Sequence, residues 1–163
     1  MAARSVSVNR APVLTLWAAV VARRLGYSGD EALSLGRAVA GVNAYSKGRK
    51  LGIFQPGEEK PKEAPGEAFR VELCGRAVPA VNTEGGVRAT KGGRPIAPAP
   101  VERYLRARFG DDLGAVRSAM ERLARAYRPG ELSGKAYSLY EAFRPEVPAG
   151  TKGWVPGATW TWG

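Results

Sequence analysis

The chain has 163 residues, 44% of them hydrophobic, a formal net charge of +10 at pH 7 and a sequence pI near 10.2. That length holds one domain or two small ones, with enough apolar residues for a real core. With no histidine, histidine-dependent triads, two-histidine zinc sites and imidazole acid–base catalysis are excluded.

A single cysteine, Cys74, excludes an intramolecular disulfide and a CxxC metal site and suits a reducing cytoplasm. It stands in the apolar run Val71-Glu72-Leu73-Cys74 with no base beside it, so it reads as a buried structural thiol. The excess of cations, 18 arginines and 7 lysines, favours polyanionic partners such as nucleic acid.

In chain order, Val13, Leu16, Trp17, Val20 and Val21 recur at helical spacing behind Pro12, with Leu14, Ala18 and Leu25 widening the apolar arc. This first helix is expected to be central, and Gly26 to stop it. The apolar stretch is too short to span a bilayer, lacks a convincing cleavage region and has no strongly charged face, so no membrane association is expected. Ser28 and Glu31 form a capping box for a second helix, with Asp30 at the positive end of its dipole. Ala32, Leu35, Gly36, Val39 and Val42 share one side. Gly36 and Gly41 suggest that another backbone passes close by, and Arg37 falls roughly opposite the apolar arc.

The second helix is expected to run into a basic loop at residues 46–52, SKGRKLG, from which Lys47, Arg49 and Lys50 project. Such a loop can grip phosphates, and its cations also complement a helix C-terminus. Residues 55–67, QPGEEKPKEAPGE, are polar and proline-punctuated, as a flexible connector should be. They divide the chain into residues 1–54, a helical hairpin with its basic loop, and residues 68–163, a β-hairpin with a small helical bundle and a tryptophan-rich tail.

Residues 69–81 have strand-like alternation limited by Gly75 and Pro79. Residues 82–86 read as a turn and residues 87–90 as a second short strand, leaving Lys91-Gly92-Gly93-Arg94-Pro95 as another cationic loop. The chain holds neither a dinucleotide fingerprint nor a GxxxxGK[ST] phosphate loop, so no cofactor is expected. Residues 101–109 form a helix stopped by Gly110, with Val101, Tyr104 and Leu105 inward and Arg103 and Arg106 outward. Asp111 or Asp112 is expected to cap the next helix, which buries Leu113, Val116, Met120, Leu123, Ala124 and Tyr127. A further helix over residues 131–143 buries Leu132, Ala136, Leu139 and Phe143. In the tail, Trp154, Trp160 and Trp162 with Lys152 suit either stacking on bases or a clasp over the bundle.

The strings VNRAPVLTLWAAVVARRLG, EALSLGRAVAGVNAYSKGRKLGIF, CGRAVPAV, VERYLRARFG and YSLYEAFRPEVPAGTKGW together resemble a family of small, basic bacterial proteins, a likeness that spans most of the chain and brings no activity with it. The residues themselves support an α+β, predominantly helical protein that binds nucleic acid without catalysis, DNA rather than RNA and duplex in form. Arg37, Lys47, Arg49, Lys50, Arg94, Arg103 and Arg106 are its candidate phosphate contacts. No basic helix face carries base-reading Asn or Gln at groove-compatible spacing, so the contacts are sequence-independent. The alternatives are an interaction module, in particular a homodimer built on the glycine-bearing second helix, and an enzyme using carboxylates or Tyr104, Tyr137 or Tyr140.

Overall fold

The computed structural model describes residues 4–7, 10–50, 68–143 and 159–162, with side chains at residues 10–42 and 68–143. In chain order the elements are β1 (Arg4–Ser7), α1 (Arg10–Arg24), α2 (Gly29–Lys50), β2 (Phe69–Leu73), β3 (Arg76–Thr83), β4 (Gly86–Lys91), β5 (Arg94–Pro95), α3 (Pro98–Phe109), α4 (Leu113–Arg125), α5 (Pro129–Phe143) and β6 (Thr159–Trp162). The fold is α+β and predominantly helical. Its main sheet is antiparallel in the order β2-β3-β4-β5, and β1 pairs separately with β6.

Helix α1 is the axis of the core. Eleven successive residues, Pro12 through Ala22, are buried, because α2 covers one side while α3, α4, α5 and β2 close in around the rest. A helix apolar on one arc alone would leave the opposite face to water; one covered all round must sit at the centre. Two of its polar side chains find partners within the core. Thr15 Oγ1 donates to the Ala11 carbonyl at 2.8 Å, and Trp17 Nε1 donates to the Ala136 carbonyl of α5 at 2.9 Å. Phe143 meets the Trp17 ring edge-on at 5.2 Å. One hydrophobic cluster runs from Val13 to Tyr140 and so draws on both sides of the expected connector; residues 55–67 themselves lie outside the described residues.

Helix α2 begins at the expected capping box. The Ser28 backbone N–H donates to Glu31 Oε1 at 2.8 Å, and the Glu31 backbone N–H donates to Ser28 Oγ at 3.2 Å. Its end corrects the expectation of a basic loop: the helix continues through Lys50, so Lys47, Arg49 and Lys50 stand on helical turns. A single interior glycine, Gly48, costs about 1 kcal/mol, which a helix already nucleated and flanked by Lys and Arg absorbs. The close approach expected at two glycines occurs at one. A Cβ on Gly36 would lie 2.5 Å from the Thr15 carbonyl oxygen and 3.0 Å from the Ala19 nitrogen of α1, whereas a Cβ on Gly41 would meet nothing within 4 Å.

The stretch expected to hold one irregular strand forms two, β2 and β3, because Cys74 and Gly75 make a two-residue turn with φ of 51° and 71°. Pro79 is tolerated inside β3 for a reason of register. The two-residue turn makes Leu73↔Arg76 a hydrogen-bonded pair, so alternation makes Arg70↔Pro79 a non-hydrogen-bonded one, and pairing with β4 stops one residue earlier at Ala80↔Ala89. The cationic stretch at residues 91–95 is likewise a hairpin end, with β5 paired to β4.

The C-terminal helices wrap α1. Helix α3 buries Val101, Leu105 and Phe109 and stops at Gly110, φ 59°. The expected aspartate cap is absent: Asp111 and Asp112 fall in a single 3₁₀ turn, and Asp112 has helical φ and ψ with no side-chain capping bond, whereas a capping residue takes extended backbone angles that bring its carboxylate to the N–H groups two and three residues on. Helix α5 starts two residues earlier than expected and buries Tyr140 with Leu132 and Ala136, leaving Leu139 and Phe143 half-buried.

The two glycines of α2 should therefore respond in opposite ways to alanine. Gly36→Ala should lower stability by about 1–3 kcal/mol through overpacking against the α1 backbone, while Gly41→Ala should leave it unchanged or raise it by about 1 kcal/mol through helix propensity. Urea denaturation of the two variants measures both.

Candidate nucleic-acid interface

Three polar side chains on successive turns of α2 fix the surroundings of the expected site. Glu31 uses one carboxylate oxygen for the capping box and the other, Oε2, to accept the Val87 backbone N–H of β4 at 2.8 Å. These backbone bonds, from Ser28 first and then Val87, hold the Glu31 carboxyl below the usual carboxylate range. One turn on, the buried Ser34 hydroxyl accepts the Ala89 backbone N–H at 2.9 Å and donates to the Ile96 carbonyl at 2.7 Å. The Ile96 N–H reaches the Ala89 carbonyl directly at 2.7 Å. Ser34 is thus inserted into one half of what would be the next ladder pair between β4 and β5. This ends β5 after two residues and leads the chain into α3.

The third side chain is Arg37. Expected on an open face, it is half-buried, and its guanidinium lies over the Tyr104 ring of α3, 5.1 Å from the centroid. Arg108, one turn further along α3, lies 5.5 Å from the same centroid. Among the described residues neither arginine forms an ion pair. Burial pushes the Tyr104 hydroxyl above the ordinary phenol range, opposed by the two guanidinium charges. A ring that takes a guanidinium on its π-system leaves the N–H donors at the guanidinium edge free for a planar or tetrahedral oxyanion.

The other flank of α3 is electrically closed. Glu102 receives Arg117 of α4 at 3.0 Å and Arg106 at 3.7 Å. Arg106, although exposed, therefore faces away from Arg37 and has a carboxylate beside it. Arg103 projects outward between the two flanks, and Arg94 is exposed at the tip of the β4–β5 hairpin. Of the seven expected cations, then, Arg37 sits in the convergent cluster, Arg103 borders it, and Arg94 and Arg106 stand apart from it. Lys47, Arg49 and Lys50 lie on the last turns of α2 with side chains outside the described ones, and Lys152 and Trp154 lie outside the described residues altogether. The tail's Thr159–Trp162 is a strand in register with Arg4–Ser7.

Arg108 escapes notice in the sequence as a member of the site, although its spacing of four from Tyr104 places both on one side of a helix. The other two tyrosines are occupied in packing. Tyr137 lies under Arg76 at 4.6 Å, and Tyr140 is buried 6.0 Å from the Phe143 ring. A groove of about 330 Å3 between α1, α2, α3 and α4 has Leu16, Val20 and Leu33 in its walls and Arg23, Asp30 and Glu121 at its rim; none of the three tyrosines lines it. Among the described residues no group of three or more Cys, Asp or Glu could hold a metal ion, and no helix is long and apolar enough to cross a membrane. No protein-family model, curated protein or solved structure matches the chain.

Two side chains of the fold give measurable signatures. Because the Glu31 carboxyl titrates lower in the folded chain than in the unfolded one, its contribution is complete above the unfolded carboxylate range and is lost as pH falls through the folded value. Glu31→Gln should lower stability by about 1 kcal/mol, the size of a helix-capping contribution; the gap to the wild type should close on acidification, as followed by denaturation at a series of pH values. Cys74 is buried with its thiol pushed up to about 12 by desolvation. Iodoacetamide at mildly alkaline pH should therefore label the native chain no faster than it opens, and label it at once in denaturant.

Proposed function

We propose that this protein binds nucleic acid without catalysis, gripping duplex DNA by its phosphates, with Arg37 and Arg108 at the centre of the contact. The observation that supports this reading is that two guanidiniums lie over one phenol ring with no carboxylate partner among the described residues, in a chain of net charge +10. Each guanidinium lies over the same ring, and a phosphate oxyanion that meets their outward edges gains charge-assisted hydrogen bonds. Stacking on Tyr104 holds the pair in place before the ligand arrives, so less side-chain entropy is lost on binding. Arg103, bordering the cluster, and Lys47, Arg49 and Lys50, further along α2, extend the contact along the backbone of the DNA. Such contacts position the protein without reading sequence. The reading places the protein in the cytoplasm, where a reduced thiol such as Cys74 belongs.

Fluorescence anisotropy of labelled duplex DNA over a salt series tests it. The logarithm of the affinity should fall linearly with the logarithm of salt concentration, by about 0.9 per phosphate neutralised. Replacing Arg37 and Arg108 together by alanine should make the slope shallower by about 0.9 for each contact removed. Absence of binding at low salt would overturn the proposal.

A further inference from the structure

The tip of the β4–β5 hairpin carries an arrangement that the Arg37–Arg108 cluster does not involve. Lys91 and Arg94 are register partners across a two-residue turn. The turn residues, Gly92 and Gly93, have φ of 59° and 80°, the left-handed pair that a tight hairpin turn of type I′ requires. Residues flanking such a turn face each other directly, with Cα atoms about 5.5 Å apart and side chains on one face of the ladder. Both are exposed, and among the described residues neither forms an ion pair. Like charges directly opposed weaken a strand pair. The turn itself needs only its two glycines, so nothing in the fold requires cations at both flanking positions.

The position of this tip follows from the bonds that seat β4 on α2. Glu31 meets Val87 and Ser34 meets Ala89, so helix and strand run in the same direction. Three helical residues rise about 4.5 Å while two strand residues rise about 6.6 Å, so the strand gains on the helix. One further stride carries Lys91 a few ångströms, about 4 Å, past the level of Arg37. The tip then points along α2 toward the turns that carry Lys47, Arg49 and Lys50 in the chain.

We infer that the Lys91–Arg94 tip is a second phosphate-binding element, which holds one phosphodiester oxyanion between an ammonium and a guanidinium of the same nucleic acid that Arg37 and Arg108 engage. The inference rests on the nucleic-acid reading. Its chemistry is that of opposed cations: repulsion across the empty pair is replaced by two charge-assisted hydrogen bonds when a phosphate enters, the arginine presenting a fork and the lysine a compact charge.

Lys91→Glu is the discriminating variant, because it converts a repulsive cross-strand pair into an attractive one while it removes the anion site. Thermal stability should stay the same or rise. Affinity for labelled duplex DNA should fall several-fold further than in Arg122→Glu, a control of equal charge change on the exposed face of α4, and the salt slope should be shallower by about 0.9 relative to that control. Lys91→Gln, which deletes the charge without adding one, should show the same slope change should the glutamate variant fail to fold. If Lys91→Glu and Arg122→Glu weaken binding equally, the tip acts only through net charge and the inference falls, leaving the Arg37–Arg108 reading standing. If the wild-type chain does not bind duplex DNA at all, both fall together.

Discussion

The burial of α1 on every side is the constraint from which the rest of the architecture follows. A helix whose residues from Pro12 to Ala22 are all covered needs neighbours around its whole circumference, and each neighbour must meet it on terms its own sequence allows. Helix α2 meets it through Gly36, where the absence of a Cβ lets two backbones touch. Helix α5 meets it through the Trp17 indole, whose N–H must find an acceptor once it is removed from water and finds the Ala136 carbonyl. Because the centre is filled by apolar side chains, the described cations lie outside it, mainly at the two ends of α1 and on the outer faces of α3, α4, α5 and the sheet.

Helix α2 converts that packing into the candidate site. Glu31, Ser34 and Arg37 stand on consecutive turns and turn progressively around the helix, so they engage the start of β4, the point where β5 leaves β4, and the face of α3 in succession. The first two close backbone hydrogen bonds along a sheet edge that β5 is too short to cover, which also removes an exposed pairing edge. The third reaches a ring on the element that this sheet edge delivers. Relative placement of Arg37, Tyr104 and the hairpin tip is therefore set by buried or half-buried backbone bonds, and not by the side chains that face solvent.

Much of this is legible in the amino-acid sequence alone. The capping box at Ser28 and Glu31, the stop at Gly110, the close approach at Gly36 and the burial of Cys74 follow from local rules that tertiary context has no reason to overrule. The rest depends on partners distant in sequence. Periodicity marks an apolar arc but cannot say that a helix of alanines and valines is covered on its remaining face as well, so the centrality of α1 is visible only in part. Ser34 looks like an indifferent helical residue until Ala89 and Ile96 are brought to it. The Cys74–Gly75 turn is hidden because a cysteine at positive φ is not a turn signature, and the hairpin tip passes for a loop because a two-residue strand has no period to detect. In the site, Arg37 carries its own signal as a polar residue on an apolar helix, whereas the weight of Arg108 comes from a ring whose periodicity assigns it to the core.

The two flanks of α3 show that charge is arranged on this surface and not merely scattered over it. On one flank a single carboxylate, Glu102, serves both Arg106 and Arg117; on the other, Arg37 and Arg108 share a ring and, among the described residues, no acid. Stability alone does not explain the difference. A surface ion pair contributes about 0–1 kcal/mol, and the repulsion between two solvated like charges is of the same order or less, so the fold is nearly indifferent to whether a surface cation is paired. A ligand is not indifferent. For a phosphate, a guanidinium already committed to a carboxylate must first be released, whereas one held on an aromatic face offers its donors at once and in a fixed direction. On the proposed reading, this flank, which has no ion pair among the described residues, and the opposed cations at the hairpin tip are places where a small cost in the free chain would become a gain when a polyanion is bound, and such asymmetry, more than the total of positive charge, ties the proposed function to particular residues.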